Sequence, residues 1–263
     1  MTKETNQIQT ELREFNMWAW IIAVTIVLRV LAIIPGFWRV NTPRQVGPDE
    51  GIEDIKVVEG YDKISRWPQF RMLRKLVIRE LAKNGPEGGL VDIGCGPGYF
   101  TADVLRAFPE LEVTGIDIAD EMLERATNNL HSQGLGGRAS FRKGDIQQLP
   151  FEDNSVDYIV STLSLHHWSD PEKAISEIHR VLKPGSGFLL FDLRRDSPRG
   201  FYWIMKFAQT FILPRAVSRI NEPTMSALAS YTADELRQIL TRTPFRECSI
   251  KQGIFWSFVS GKK

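Results

Sequence analysis

The feature that most constrains this chain is a glycine-rich turn that follows an apolar run ending near an acidic residue. The stretch from 91 to 100 reads VDIGCGPGYF. Glycines at alternate positions let the backbone turn sharply and approach a ligand closely, because no Cβ blocks either move. The pattern therefore predicts a nucleotide-like cofactor held at the end of a parallel strand.

The spacing of the glycines disfavours a dinucleotide. A dinucleotide fingerprint reads G-x-G-x-x-G and places a pyrophosphate at a helix N-terminus. Here Gly94, Gly96 and Gly98 form G-x-G-x-G, and Tyr99 stands where the third glycine would fall. Asp92, just before the turn, would repel a phosphate and attract the ammonium group of an amino-acid-like ligand.

The composition is that of a globular enzyme. The chain has 263 residues, of which 43% are hydrophobic and 25% charged, and its formal net charge is +1. Scattered cations and a near-neutral balance argue against nucleic acid as a partner. Cys95 and Cys248 form neither a metal-ligand spacing nor a disulfide framework, so we expect two reduced thiols, no metal and a cytosolic domain.

One segment departs from that composition. Residues 17–38 are almost continuously apolar and long enough to cross a bilayer, with tryptophans near both ends. Arg29 opposes insertion by about 2.5–3.5 kcal/mol, which roughly ten large apolar residues offset. We expect membrane association, either spanning the bilayer or lying in its interface. The alternative is a helix docked on the catalytic domain or on a partner, and a cleavable signal peptide is disfavoured because acidic residues precede the run.

The remaining chain alternates strands and helices, which predicts a parallel sheet covered on both faces. The fold class is a Rossmann-like, doubly wound α/β sheet, mostly parallel with an antiparallel last strand, preceded by the N-terminal hydrophobic helix. Expected divisions are a hydrophobic segment at 1–40, a linker at 41–60 and a catalytic domain at 61–263 with a helical insertion near 197–230. The expected helices are 70–82, 101–107, 120–131, 171–182 and 233–241, and the expected strands are 89–93, 111–116, 140–142, 156–161, 187–192, one near 248 and 254–259.

Two further acidic residues fall at predicted strand ends. Asp117 lies about twenty residues beyond the glycine turn, where a carboxylate can accept from both hydroxyls of a ribose. Asp145 precedes Ile146, so its carboxylate could accept from an adenine amine while the isoleucine packs on the ring. Any one of these residues alone could be a helix cap or turn residue. Together with Asp92 they favour a nucleoside that carries an amino group.

The sequence resembles the class I S-adenosylmethionine-dependent methyltransferases, especially the small-molecule and quinone-type group. The matching segments are VDIGCGPGYF, VTGIDIADEML, GDIQQLPFEDNSVDYIVSTLSLHHW and EIHRVLKPGSGFLLFD. The resemblance covers residues 60–195 well and is more specific for fold and cofactor than for substrate. It implies that the amino group of S-adenosylmethionine is held by Asp92 and the turn of Gly94, Gly96 and Gly98, and the ribose by Asp117 beside Ile118. It also implies that Asp145, Ile146 and Met122 hold the adenine, and that the stretch from Ser161 to Leu163 passes beside the methionine part.

The chemistry that this resemblance implies is an in-line displacement at a sulfonium methyl, which requires alignment and exclusion of water. If the acceptor is a phenol or an enolic carbon, a base near neutral pKa helps, and His166 and His167 are both well placed by their order in the chain, with His166 the expected catalytic residue. Tyr61 is a weaker candidate for closing over the cofactor. The alternative is that these two histidines have only a structural role, since adjacent side chains cannot easily face one cleft and at least one should pack in the protein or be exposed.

The acceptor is expected to be small and apolar or lipid-like, because the chain has two apolar segments outside the cofactor motifs. One is the aromatic stretch at 201–215, and the other is the run at 17–38. The catalytic domain is then membrane-associated and faces the cytoplasm, where the methyl donor is made. Two alternatives remain open: a soluble methyltransferase of a polar metabolite, and a non-catalytic, membrane-tethered module that binds the cofactor. The oligomeric state is not predicted.

Overall fold

The computed structural model describes residues 39–45 and 54–263. The expected hydrophobic helix at 17–38 lies outside the described residues. The helices are α1 (Ile55–Ser65), α2 (Pro68–Asn84), α3 (Tyr99–Ala107), α4 (Asp120–Ser132), α5 (Pro171–Val181), α6 (Arg199–Phe211), α7 (Arg215–Arg219), α8 (Thr224–Ala229) and α9 (Ala233–Thr241). The strands are β1 (Gly89–Ile93), β2 (Glu112–Asp117), β3 (Ala139–Lys143), β4 (Val156–Thr162), β5 (Leu182–Leu193), β6 (Glu247–Gln252) and β7 (Trp256–Lys262).

The seven strands form one sheet in the order β3-β2-β1-β4-β5-β7-β6. The pairs from β3 to β5 are parallel, whereas β7 runs antiparallel to both β5 and β6. This confirms a mostly parallel Rossmann-like sheet with an antiparallel last strand. The order reverses between β1 and β4, and ligands bind outside the carboxyl ends of the strands at such a switch point.

Each face of the sheet carries its own hydrophobic core. Successive residues of a strand point to opposite faces, so Leu90 packs with α2, α3 and α4, whereas Val91 packs with α5 and α9. Leu81, Leu105, Ile175 and other large side chains in these layers are fully buried. The alternation of strands and helices in the sequence therefore corresponds to helices on both faces.

Capping residues fix two of the covering helices. Asp170 accepts a hydrogen bond from the backbone N–H of Lys173, and Pro171 begins α5. Thr232 and Glu235 form a capping box at the start of α9. Both helices begin as the sequence predicts.

Most elements match the sequence-based expectation to within three residues at each end, and two differ by more. The Pro184-Gly185 pair was expected to separate a helix from a strand, but it lies inside β5, where the register with β4 shifts between Val156 and Tyr158. A bulge accommodates the proline and the left-handed Gly185 without ending the strand. In addition, α1 begins at Ile55, within the expected linker.

The segment at 39–45 lies along the end of β5 and α8. The Val40 N–H donates to the carbonyl of Ser197 at 3.1 Å, and the Gln45 N–H donates to the carbonyl of Leu228 at 3.1 Å. Arg195 Nε donates to the Thr42 carbonyl at 2.8 Å. Within residues 39–45 and 54–263, no helix combines the length and hydropathy needed to cross a membrane.

Candidate active site

A cavity opens at the carboxyl ends of β1, β2 and β4, where the glycine-rich turn leaves the sheet. The residues that the sequence singles out and that line it include Tyr61 and Leu163 as well as Gly94, Gly96, Asp117, Ile118, Met122, Asp145 and Ile146. Four others do not line it: Asp92, Gly98, Ser161 and His166. The cavity therefore gathers most of the predicted positions, and each exception has a structural explanation.

The three glycines of the turn all have positive φ, but they meet different surroundings. A Cβ on Gly94 would clash with the Ser164 hydroxyl, and a Cβ on Gly98 would lie 3.0 Å from Ala126 Cβ. A Cβ on Gly96 would meet nothing within 4 Å. Gly94 and Gly98 thus allow close packing within the protein, with Gly98 at the N-cap of α3. Gly96 borders open space that a ligand can occupy.

Asp92 lies behind the turn and is fully buried. Its Oδ2 accepts a hydrogen bond from the Thr101 hydroxyl at 2.6 Å, whereas its Oδ1 has no hydrogen-bond partner among the described residues. Burial, together with the nearby charge of Asp117, raises the pKa of Asp92 to about 7. A buried carboxylate with an unsatisfied oxygen favours a cation in front of the loop.

Asp117 ends β2 and joins that strand to the glycine turn. Its Oδ2 accepts from the Gly96 N–H at 2.8 Å, and its Oδ1 accepts from the Ala119 N–H at 3.1 Å. Burial raises the pKa of Asp117, although these backbone donors oppose the shift. Each carboxylate oxygen can accept a second hydrogen bond, so a vicinal diol can still bind there.

Beyond Asp117 the cavity wall becomes apolar with one carboxylate at its rim. Met122 and Ile146 are buried, Ile118 is exposed, and all three side chains face the cavity. Asp145 is exposed, and its Oδ1 accepts from the Gln147 N–H at 2.8 Å. This part of the cavity can hold a flat apolar ring between the apolar side chains, with an amine of the ring donating to Asp145. Together with Gly96, Asp92 and Asp117, the wall fits a nucleoside bearing an ammonium group.

The opposite wall of the cavity is formed mainly by apolar side chains from α1, α2 and the ends of β4 and β5. They are Tyr61, Phe70, Leu73, Val77, Leu163, Trp168 and Phe191. Apart from Tyr61 and Leu163, the sequence did not single them out as site residues. The spacing of Phe70, Leu73 and Val77 is that of one helix face, which signals burial but not the identity of the neighbour.

The cation on this wall is neutralised within the protein. Arg74 Nε donates to Asp103 Oδ2 at 2.7 Å, and Arg74 Nη1 donates to the carbonyl of Ser65 at 2.6 Å. Its guanidinium also lies 5.6 Å from the centre of the Tyr99 ring. These contacts hold Arg74 as part of the wall, so it offers little to an anionic ligand.

The structure corrects the placement of His166. Its side chain is only 2% exposed, with Nδ1 2.8 Å from Asp192 Oδ1 and with Nε2 buried and unpartnered among the described residues. Instead, His167 lines the cavity, with its ring centre 4.1 Å from that of His166. Both residues lie in the short 3₁₀ turn after β4, where neighbouring side chains point in different directions.

The two imidazoles have opposite pKa shifts. Burial lowers the pKa of His166, but the Asp192 carboxylate outweighs that effect and the net pKa is raised. Burial and the adjacent charge of His166 lower the pKa of His167 to about 3. The cavity therefore faces a neutral imidazole, which can accept a hydrogen bond.

The structure also corrects the placement of Ser161. The side chain is buried within the sheet, and its hydroxyl donates to the Ile93 carbonyl at 2.7 Å. Alternation along β4 turns the side chain of Ser161 away from the cavity, and the next residue, Thr162, lines it. Ser161 thus ties β4 to β1 beneath the turn.

The comparisons with known proteins agree with this geometry. A family model described as a methyltransferase domain matches residues 91–191. The chain is 28% identical to the demethylmenaquinone methyltransferase of Leptospira interrogans over 78% of this chain and 87% of that protein. It is 33% identical to the biotin biosynthesis bifunctional protein BioHC of Teredinibacter turnerae over 64% of this chain, but spans only 31% of that protein.

A solved structure shows the same fold. The S-adenosylmethionine-dependent methyltransferase of Aquifex aeolicus superposes with a TM-score of 0.58 at 21% identity, covering 79% of this chain and 97% of that one. The sheet order and the cavity at the glycine turn define a Rossmann-like fold with its ligand cleft at the switch point. Residues 91–191 are thus a methyltransferase domain, and the chain is similar to small-molecule methyltransferases that depend on S-adenosylmethionine.

Proposed function

We propose that this enzyme transfers the methyl group to a small, apolar, lipid-like acceptor at a membrane, with the catalytic domain on the cytoplasmic side. The observation that carries the acceptor class is the apolar wall opposite the glycine turn. Phe70, Leu73, Val77, Leu163 and Phe191 contribute no polar side-chain atom to it. A cavity of this kind gains most from an apolar ligand, because burial of apolar surface is the main favourable term.

The cofactor would lie along the other wall. Asp117 would accept from the ribose hydroxyls, and Asp145 would accept from the adenine amine, with Ile146 and Met122 on the faces of the ring. The Gly96 backbone would border the methionine part, and Asp92 would favour its ammonium group from behind the turn. When bound, the cofactor supplies an electrophilic sulfonium methyl.

The charge of the site also favours an uncharged acceptor. Arg74 is neutralised by Asp103, and His167 is a neutral imidazole because its pKa is lowered to about 3 by burial and by His166. An acidic acceptor would meet no free cation on the apolar wall of the described structure. The apolar side chains of this wall would exclude water and so protect the methyl donor from hydrolysis.

The chain's own contribution to the chemistry would be alignment rather than strong acid catalysis. His167 would accept a hydrogen bond from an acceptor hydroxyl and orient its oxygen or the adjacent carbon. His166 would act as a positioning residue, because its pairing with Asp192 fixes the turn that presents His167. This arrangement replaces the expectation that His166 is the base.

Two features support a location at the membrane. The apolar run at 17–38 is long enough to span or enter a bilayer. The name of the Leptospira relative indicates a quinone-type acceptor, and such acceptors partition into membranes. A polar metabolite is the second candidate acceptor, and the name of the relative in biotin biosynthesis is consistent with it.

The test is mass spectrometry of lipid extracts from cells that make the full chain, compared with cells that make the Asp117→Asn variant at equal level. We expect an apolar species heavier by one methylene unit only with the unchanged chain, and the enzyme in the membrane pellet. A new methylated species confined to the aqueous extract, with the enzyme in the supernatant, would refute the proposal and favour the polar alternative.

A further inference from the structure

Helix α6 exposes an apolar face. Among the described residues, nine large hydrophobic side chains are exposed, and five of them lie between 203 and 212. Trp203, Phe207, Phe211 and Ile204 are 65%, 58%, 74% and 44% exposed and fall within an arc of about 100° on a helical projection. Met205 is buried on the other side. The exposed residues are thus one contiguous surface rather than scattered positions.

The surroundings of this face are cationic. The sequence from 197 to 221 contains Arg199, Lys206, Arg215 and Arg219 but no aspartate or glutamate, although the whole chain has a net charge of only +1. None of the four forms a salt bridge with another residue of the described structure. An apolar face flanked by free cations is complementary to the anionic headgroups and acyl chains of a membrane surface.

Arg39, which directly follows the apolar run in the sequence, lies beside the same helix. Arg39 forms an antiparallel bridge with Pro198, the N-cap residue of α6. Arg39 Nη1 also lies 3.2 Å from Asp196 Oδ2, which fixes the chain at this corner. The apolar run at 17–38 is therefore followed directly in sequence by a residue that is held at the start of α6.

We propose that the exposed face of α6 lies in the headgroup region of an anionic bilayer and orients the catalytic domain on it. Trp203 and the two phenylalanines would enter the interface, and Arg199 and Lys206 would contact the headgroups. Each such cation contributes about a fivefold gain in membrane partitioning, which salt reduces. Packing of the 17–38 run onto α6 is the competing occupant, but the run itself contains no acidic residue that could pair with the flanking cations.

This orientation would bring the bilayer close to the mouth of the active site. Helix α7 follows α6 and packs on α1, where Val217 Cγ2 fills the space that a side chain on Gly60 would need. The next residue of α1, Tyr61, lines the cavity. The benefit of this orientation rests on the proposed function, since an acceptor dissolved in the membrane would enter the cavity beside α1.

The experiment places an environment-sensitive fluorophore on the full chain, purified in detergent and then exchanged into vesicles. The labelled variant is Phe211→Cys, in a Cys248→Ser background that leaves the buried Cys95 as the other thiol. The matched control carries the label at Ile254→Cys, an apolar position that is 55% exposed and lies between β6 and β7. Vesicles contain phosphatidylcholine alone or with phosphatidylserine, and some contain a nitroxide-labelled lipid as quencher.

We expect the label at 211 to shift to the blue and to be quenched by the nitroxide lipid, more strongly with phosphatidylserine and less at high salt, while the label at 254 does not change. Lys206→Ala should weaken these effects about fivefold. A label at 211 that stays solvated while the protein is bound to vesicles would overturn the proposal. So would a blue-shifted label that lipid does not quench, which would assign the face to the 17–38 run or to a second copy. No readout depends on the acceptor, so failure of the proposed function is detected separately.

Discussion

The His166 imidazole and the Asp192 carboxylate form a buried pair, with Nδ1 2.8 Å from Oδ1. Asp192 Oδ2 also accepts from the His166 backbone N–H at 2.8 Å, so one carboxylate fixes both the ring and the turn. His167 reaches the cavity from that turn. A residue at the end of β5 thus determines which of two adjacent histidines faces the cavity.

Removing the Asp192 carboxylate should therefore destabilise the fold. Asp192→Ala leaves the backbone N–H and the ring of His166 without an acceptor, and breaking a buried pair costs about 3–5 kcal/mol. The free energy of unfolding in urea measures the loss. The exposed Asp153→Ala is the control, and equal, small effects of the two variants would contradict the structural role.

The same pair should give a defined pH dependence of stability. The pKa of His166 is raised in the folded protein by Asp192 against the effect of burial, and Glu222 adds to the increase while Arg44 opposes it. Its stabilisation is complete below the ordinary value of 6.5 and is lost as the pH rises through the higher folded pKa. Unfolding free energies of the unchanged chain and His166→Gln should converge above that pH. A constant difference would show that the pair does not titrate.

Cofactor affinity should depend on Asp92. Because burial and the charge of Asp117 raise the pKa of Asp92 to about 7, the carboxylate is largely neutral in acid. If the ionised form favours the ammonium group, the dissociation constant should rise up to about tenfold for each pH unit below 7. Calorimetric titration with S-adenosylmethionine measures this, using Asp92→Asn to correct for the titration of the ligand itself. Identical profiles for the two proteins would contradict the role of Asp92.

Substitutions at Asp117 and Ser161 should have different effects, because the first is expected to reduce ligand binding and the second to reduce stability. Asp117→Asn should weaken S-adenosylmethionine binding by about 2–4 kcal/mol, since two charge-assisted hydrogen bonds to the ribose are lost. Ser161→Ala should leave binding unchanged and reduce stability by about 1 kcal/mol, because its hydroxyl donates to Ile93 within the sheet. Asp120→Asn, an exposed carboxylate nearby, is the control. A reversed pattern would restore the sequence-based assignment of Ser161.

Local sequence signals account for most of the fold. The first strand, Gly89–Ile93, and the helix Ala233–Thr241 coincide with their predicted bounds, because an apolar run and a capping box define them without distant contacts. The Pro184-Gly185 pair misled the prediction, since the bulge that admits it depends on pairing with β4. Turn residues report local conformation, whereas a register shift is set by the neighbouring strand.

The site was only partly predictable for a related reason. Strand order places Asp117 and Asp145 at one edge, but it does not say on which side of a strand end a side chain projects. Ser161 and His166 were therefore assigned to the cavity although they point into the protein. The wall from α2 was missed because its apolar spacing is the same as that of a core helix. The ligand contacts of the cavity residues that were assigned to the cofactor from the sequence stay predictions.

The most direct test of the account is to follow labelled methyl groups from S-adenosylmethionine into whole-cell extract incubated with the full chain in vesicles. After phase separation, we predict label in a discrete organic-phase product, absent with Asp117→Asn and reduced with His167→Ala. Label found only in water-soluble products, from the same enzyme at full cofactor affinity, would contradict an apolar acceptor.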